Sequence, residues 1–194
     1  CARARVYALC AEGLTMRLLW GILLGGLLAG TFDIVYAFIV YGPASYGLTP
    51  QEVLQSVASG WLGRDASRGG GSDTAMLGLG SHFLIATLMA AVYAFAAQSF
   101  GVLKQKWILW GFIYGLILYV AMNYIVAPLS AAGGDGFALS IGEIGSRLQA
   151  SFSDVRPRWD AHYPWMIPAT IMTHTVLVGI PIAWAAQRFA PQSA

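Results

Sequence analysis

Four stretches of the sequence are apolar over their whole length, and few folds can accommodate so many. They lie at residues 18–41, 75–97, 107–127 and 165–186, and none contains more than one formally charged side chain. A helix needs about 20 apolar residues to cross the hydrocarbon core of a bilayer, which is ~30 Å thick. The sequence therefore predicts an all-α membrane protein, a bundle of four transmembrane helices.

Charged side chains are too few to cover a globule that faces water. Of 194 residues, 57% are hydrophobic and 10% are charged, whereas about a quarter of the residues in a soluble domain are charged. The lipid bilayer is therefore the expected partner of most of the surface. The formal net charge is +2 without a dense basic run, so nucleic acid is not an expected partner.

The residues before the first apolar stretch are interpreted as an extension. Met16-Arg17 directly precedes that stretch and resembles a natural start, so residues 1–15 are assigned to a cytoplasmic N-terminal extension. This extension contains both cysteines, Cys1 and Cys10, which do not make a disulfide framework. The stretch itself is longer than the apolar region of a cleaved signal peptide, about 7–15 residues, so we interpret it as a retained span.

Lysine and arginine placement predicts the orientation. Basic residues are densest in the N-terminal segment, in the short turn after the second span (Lys104, Lys106) and in the tail (Arg188), while the two longer loops carry most of the acids. Short loops rich in lysine and arginine stay on the cytoplasmic side. Both termini are therefore expected in the cytoplasm.

Each longer loop contains a predicted amphipathic helix. Thr49, Pro50 and Glu52 supply an N-cap, a proline at the first helical position and a capping-box acid, and apolar residues recur at helical spacing over 50–62. A similar pattern covers 138–153. Both helices are expected to lie in the membrane interface. The glycine run Gly69–Gly71 is interpreted as a flexible connector.

The two halves of the sequence resemble each other. Gly25 and Asp33 of the first span recur 90 residues later as Gly115 and Asn123. Residues 16–102 and 103–194 are therefore interpreted as two hairpin repeats, each made of a span, an interfacial helix and a span. Because the repeats are parallel, we expect a pseudo-twofold axis along the membrane normal.

Polar residues within the spans form the candidate site. At 1.5 Å of rise per residue, Asp33, His82, Asn123 and His174 fall in the same half of the bilayer. Stripes of small residues, which mark helix contacts in membranes, place all four toward the bundle interior. We therefore predict that they bind a small ligand, an ion or a proton. The neighbours expected to support them are Tyr36, Ser81, Tyr119 and Thr173.

Several interpretations of this polar layer remain open. A carboxylate in hydrocarbon costs ~2.5–3.5 kcal/mol, so Asp33 needs a partner. One interpretation is structural, with Asp33 bonded to His82 and Asn123 to His174. Two others involve cofactors: a divalent metal held by Asp33, His82 and His174, or a haem with the two histidines as axial ligands. A path for a proton or a small solute is the fourth.

The favoured function is binding, not catalysis. No serine–histidine–aspartate or cysteine–histidine set with catalytic spacing occurs outside the polar layer. The leading hypothesis is a membrane protein whose polar layer binds a small ligand, an ion or a proton. The alternatives are a non-catalytic accessory subunit of a larger membrane complex and a bis-histidine haem protein. A path for a solute through only four spans would require a homodimer.

The chain resembles a family of small bacterial four-span membrane proteins. The resemblance covers most of residues 16–190, although the segment 131–163 is longer than expected for that family. It implies a place in the bacterial inner membrane and attaches no activity, cofactor or catalytic residue. The residues that carry it are Leu23 to Tyr41 with the central Asp33, Leu54-Gln55-Ser56-Val57-Ala58-Ser59-Gly60, His82 and Met122-Asn123-Tyr124.

Overall fold

All secondary structure in the described part of the chain is helical. The computed structural model describes residues 2–153 and 160–189, with the side chains of residues 13, 15–153 and 160–189. Cys1 of the predicted extension lies outside this description. So do residues 154–159 and 190–194 of the second predicted repeat. The helices are α1 (Ala2–Val40), α2 (Pro50–Leu62), α3 (Arg64–Gly69), α4 (Gly71–Ser99), α5 (Gly101–Gln105), α6 (Trp107–Leu129), α7 (Ile141–Ser153) and α8 (Met166–Phe189).

Four of these helices are long and apolar enough to cross a membrane, which confirms the predicted four-span, multi-pass architecture. They are Thr15–Val40 within α1, together with α4, α6 and α8. Most extend a few residues beyond the predicted limits, because helical hydrogen bonding continues into polar turns that an apolar window excludes. The residues 71–74 that begin α4 are an example.

Helix α1 packs closely against both α4 and α8. A Cβ atom added to Gly26 would lie 2.6 Å from the Cα of Thr87 in α4, and one added to Gly30 would lie 2.8 Å from the ring of Phe83. Gly25 lies between both helices, since a Cβ added there would be 3.3 Å from Ala185 of α8 and 3.3 Å from Ala90 of α4. Small residues let membrane helices approach in this way, so the predicted contact stripe of α1 is confirmed.

Glycines bring the backbones of α6 and α8 into close contact. Gly115 lies against the main chain of His174 and Thr175, and Gly179 lies against the main chain of Gly111 and Gly115. No side chain larger than hydrogen fits between these backbones. This contact fixes the position of His174 relative to α6.

Helices α4 and α6, in contrast, pack against each other only sparsely. Their main link is Tyr114, whose hydroxyl donates a hydrogen bond to the main-chain oxygen of Met89 at 2.8 Å. Its ring lies 5.1 Å from that of Tyr93. Between this link and the end of the bundle that carries α2, the space between α4 and α6 is not filled by side chains from either helix.

Helix α2 covers the bundle end by docking on α4. The predicted capping box is present, because Thr49 and Glu52 bond each other's main-chain N–H groups. Gly78 of α4 leaves room for the carbonyl of Leu54. The amide of Gln55, which is 97% buried, donates to the main-chain oxygen of Gly71 at 2.9 Å.

The prediction of a flexible connector at Gly69–Gly71 is wrong. Gly69 ends α3, and Gly71 begins α4 with a positive φ of 58°. The Ser67 side chain is fully buried and donates to the main-chain oxygen of Gln55. Side-chain hydrogen bonds to the main chain therefore hold this tight turn in place, which its composition alone did not indicate.

Helix α7 docks in a different way from α2. It begins at Ile141, later than the predicted residue 138, and it contacts the end of α6. Arg147 donates to the main-chain oxygens of Pro128 and Ser130, both at 3.2 Å. Thus α2 rests on the second span of its hairpin, whereas α7 rests on the first span of its own.

Candidate functional site

A cavity of about 470 Å³ occupies the space between α4 and α6. Helices α1 and α8 form its back wall, α2 and the segment after α6 lie over it, and Met89 lies at its floor beside Tyr114. Most of its lining is apolar. Three of the predicted site residues, Asp33, His82 and His174, line it together.

His82 reaches α1 with one ring nitrogen and faces Asp33 with the other. Its Nε2 lies 2.8 Å from the main-chain oxygen of Gly30. Because a carbonyl only accepts hydrogen bonds, this nitrogen carries the proton in the neutral ring. The other nitrogen, Nδ1, lies 4.0 Å from the Asp33 carboxylate, whose side chain is 31% exposed. The predicted approach of Asp33 and His82 is present at ion-pair distance, without direct hydrogen bonding.

His174 is held by its own helix. Its Nδ1 lies 2.9 Å from the main-chain oxygen of Thr170, so the same argument places the proton on Nδ1. Its ring meets that of Tyr119 edge to face, with centroids 5.6 Å apart. The Nε2 atom of His174 remains without a hydrogen-bond partner from the described residues.

The predicted bond between Asn123 and His174 is wrong. The Asn123 amide donates to the main-chain oxygen of Tyr119 at 2.9 Å, and Asn123 is not among the residues that line the cavity. Both residues lie in π-helical segments, Ala121–Val126 in α6 and Thr173–Gly179 in α8. A π turn changes the angular position of the following side chains, so facing deduced from a regular α-helix does not hold here.

The four predicted supporting residues have different surroundings. Tyr119 contacts His174, and Ser81 accepts a hydrogen bond from the Trp61 indole at 2.9 Å. Thr173 is fully buried and donates to the main-chain oxygen of Ala169. The buried hydroxyl of Tyr36 has no hydrogen-bond partner among the described residues, and Tyr36 does not line the cavity.

Two aromatic residues that were not predicted from the sequence lie at the mouth of the cavity. Trp61 from α2 and Phe137 from the segment after α6 both line it, with ring centroids 6.1 Å apart. Trp61 ends the apolar face of α2, and Ser81 directly precedes His82 in sequence. A tryptophan on the interfacial helix and a polar residue next to His82 were the sequence features from which this contact could have been predicted.

The geometry gives the cofactor hypotheses no direct support. Among the residues whose side chains the structure describes, no three histidine, cysteine or acidic side chains are close enough to hold a metal ion together. The two histidines do not present equivalent nitrogens to a haem iron, since His82 keeps Nδ1 free and His174 keeps Nε2 free.

A second polar cluster links the loops beyond the spans. Tyr46 donates to the Asp160 carboxylate at 2.8 Å, and Tyr163 donates to the main-chain oxygen of Ser45 at 2.7 Å. The hydrogen bond with Asp160 raises the pKa of Tyr46 to about 12, and the same bond lowers the pKa of Asp160. These contacts join the segment after α1 to the segment before α8.

Comparisons with protein-family models, with curated proteins and with solved structures found no match. The resemblance to small bacterial four-span proteins therefore stays a prediction. The proposed function therefore depends on the residues that line the cavity.

Proposed function

We propose that this chain is a multi-pass protein of the bacterial inner membrane whose cavity binds a small, largely apolar molecule. The observation that carries the proposal is that Asp33, His82 and His174, from three different spans, line one mostly apolar cavity. Ligand sites in proteins combine apolar walls with a few convergent polar groups in this way. Ionisable residues inside membrane spans are also costly, and they usually mark a function.

The hydrogen bonds support binding over a structural role. A polar lock between helices would pair its side chains directly, since a buried polar atom without a partner costs about 1–3 kcal/mol. Asp33 instead stands 4.0 Å from His82 Nδ1. Among the described residues, His174 is hydrogen-bonded to its own helix, and its Nε2 has no hydrogen-bond partner. Of the two histidines, only His82 joins two helices, through its Nε2 and the main-chain oxygen of Gly30. The polar atoms that face the cavity are thus left available for a ligand.

The same proposal includes the topology and origin of the bundle. Lys104 and Lys106 lie at the end opposite to α2 and α7, which supports cytoplasmic termini and a cavity near the outer face. The glycine pair Gly25 and Gly115 supports a duplicated hairpin, because each lies against the second span of its own hairpin, Gly25 against Ala90 of α4 and Gly115 against Thr175 of α8. We infer that the hairpins diverged after duplication, and that the loss of close packing between α4 and α6 opened the cavity.

Filling the cavity tests the proposal. A Cβ atom at Gly60 of α2, which lines the cavity, would meet only Ser130, at 3.9 Å. Gly60→Leu therefore adds a side chain to the cavity without a main-chain clash. The matched control is Gly80→Leu, because Gly80 is exposed on α4 with no atom within 4 Å of an added Cβ.

The experiment measures binding of naphthalen-1-ylmethanol to protein in lipid nanodiscs, with empty nanodiscs subtracted. We expect saturable binding by the wild type and by Gly80→Leu, and its loss in Gly60→Leu. The proposal is wrong if binding to the wild type does not saturate, or if the Gly60→Leu protein binds as well as the control.

A further inference from the structure

Among the described residues that line the cavity, every side-chain hydrogen-bond donor is already used within the protein. The indole of Trp61 donates to Ser81, and the donor nitrogens of His82 and His174 point at main-chain oxygens. The two serines that line the cavity complete the set, since Ser56 donates to Val53 at 2.6 Å and Ser130 donates to Ala127 at 2.8 Å. Main-chain N–H groups of the lining helices are engaged in helical bonds.

The groups left facing the cavity are hydrogen-bond acceptors. They are the Asp33 carboxylate, Nδ1 of His82 and Nε2 of His174. No lysine or arginine is among the described residues that line the cavity. The cavity therefore has a surplus of acceptors and negative charge, in a setting where apolar walls exclude most of the water that would screen them.

Resting on the proposed function, we propose that the cavity selects molecules with an ammonium group on an apolar body. An ammonium group has three donors and no acceptor, which complements three acceptors. Charge-assisted hydrogen bonds to a carboxylate are about twice as strong as neutral ones. A carboxylate ligand would instead place like charges together, and a ketone or ether would leave every acceptor of the site unpaired.

The walls of the cavity fit a varied apolar body. Met89 and Met122 face it from α4 and α6, and Ile85 and Val178 add branched side chains. Methionine side chains adapt to ligands of different shape because they are unbranched and flexible. The polar group of the ligand is therefore expected to determine selectivity more strongly than the shape of its body.

Three probes with the same ring system test this inference in nanodiscs: naphthalen-1-ylmethylammonium, naphthalen-1-ylmethanol and 1-naphthoate. We expect the ammonium probe to bind at least about tenfold more tightly than the alcohol, and 1-naphthoate to show no saturable binding. Asp33→Asn should weaken binding of the ammonium probe by a larger factor than binding of the alcohol, and so remove most of the preference. Asp73→Asn is the matched control, because it removes an exposed charge in the first turn of α4. It should change neither the affinity for the ammonium probe nor the affinity for the alcohol.

The outcomes separate this inference from the proposed function. If the alcohol binds and Gly60→Leu abolishes its binding, while the ammonium probe binds no more tightly or 1-naphthoate binds equally well, the selectivity is wrong and the cavity site stands. If the alcohol does not bind the wild type saturably, the cavity site itself is wrong, as stated for the proposed function. The probe comparison in the wild type decides the question even if Asp33→Asn does not fold.

Discussion

The Nε2 atom of His82 lies 2.8 Å from the main-chain oxygen of Gly30, and this contact determines what His82 presents to Asp33. The proton of the neutral ring is placed on the side of α1, and Nδ1 is left 4.0 Å from the carboxylate. Two acceptors then face each other in an apolar cavity. Such an arrangement is stable when a shared proton or a donor from a ligand lies between them.

The two histidines that line the cavity are expected to be opposite tautomers. At a pH where the rings are neutral, His82 should carry its hydrogen on Nε2 and His174 on Nδ1, because each of those nitrogens faces a carbonyl. Two-dimensional ¹H–¹⁵N spectra of the imidazoles distinguish the tautomers. His162, which is 88% exposed, is the internal reference. Hydrogen on Nδ1 of His82 would refute the assignment of acceptors to the cavity.

Gly115→Ala should destabilise the bundle and displace His174. The added Cβ would overlap the main chain of His174 and Thr175, and overpacking of this kind costs about 1–3 kcal/mol. Gly80→Ala should be neutral or slightly stabilising, since nothing lies near its Cβ and alanine favours helix. Unfolding of the reconstituted proteins by denaturing detergent measures the difference. Equal stability of the two variants would argue against close contact between α6 and α8.

Tyr114→Phe should weaken probe binding in the cavity, whereas Tyr93→Phe should not. Tyr114→Phe loses the hydrogen bond to the main-chain oxygen of Met89, and Tyr93→Phe loses the one to the main-chain oxygen of Leu103. Each loss costs about 0.5–1.5 kcal/mol. Only Met89 lies at the cavity floor. Affinity for naphthalen-1-ylmethanol is the measurement. If both variants lowered this affinity alike, general loosening of the fold would explain it better than a defined floor.

Tyr46→Phe should raise the pKa of Asp160 toward its ordinary value of 3.8, because the Tyr46 hydroxyl is the largest cause of its lowering. A carboxyl with a lowered pKa stabilises the fold above its unfolded pKa, and this contribution is lost as pH falls through the folded pKa. The variant should therefore lose less stability than the wild type on acidification below about pH 4.

A ¹³C titration of the Asp160 carboxyl measures this shift. Tyr163→Phe is the control, because Tyr163 bonds the main-chain oxygen of Ser45 and not Asp160. An unchanged Asp160 titration in Tyr46→Phe would show that the hydrogen bond is absent in solution.

Local patterns predicted much of this fold, and packing between distant segments accounts for the rest. The spans and the capped start of α2 follow from runs of neighbouring residues. The meeting of Asp33, His82 and His174 follows from depth, which depends only on helical rise. The placement of Asn123 does not follow, because a π-helical segment is a tertiary adjustment that sequence spacing does not reveal. The cavity could not be predicted for a related reason, because it lies where α4 and α6 pack only sparsely against each other.

The most direct test of the account is whether the carboxyl of Asp33 meets the ring of His82 inside the bundle. Solid-state NMR dephasing between ¹⁵N-labelled histidine and ¹³Cγ-labelled aspartate reports this proximity in lipid. The background should be Asp160→Asn, because His162 lies 3.2 Å from Asp160 and would give a second signal. We predict dephasing of the His82 ring in Asp160→Asn and its loss when Asp33→Asn is added. Absence of dephasing in Asp160→Asn would contradict the site on which the proposed function depends.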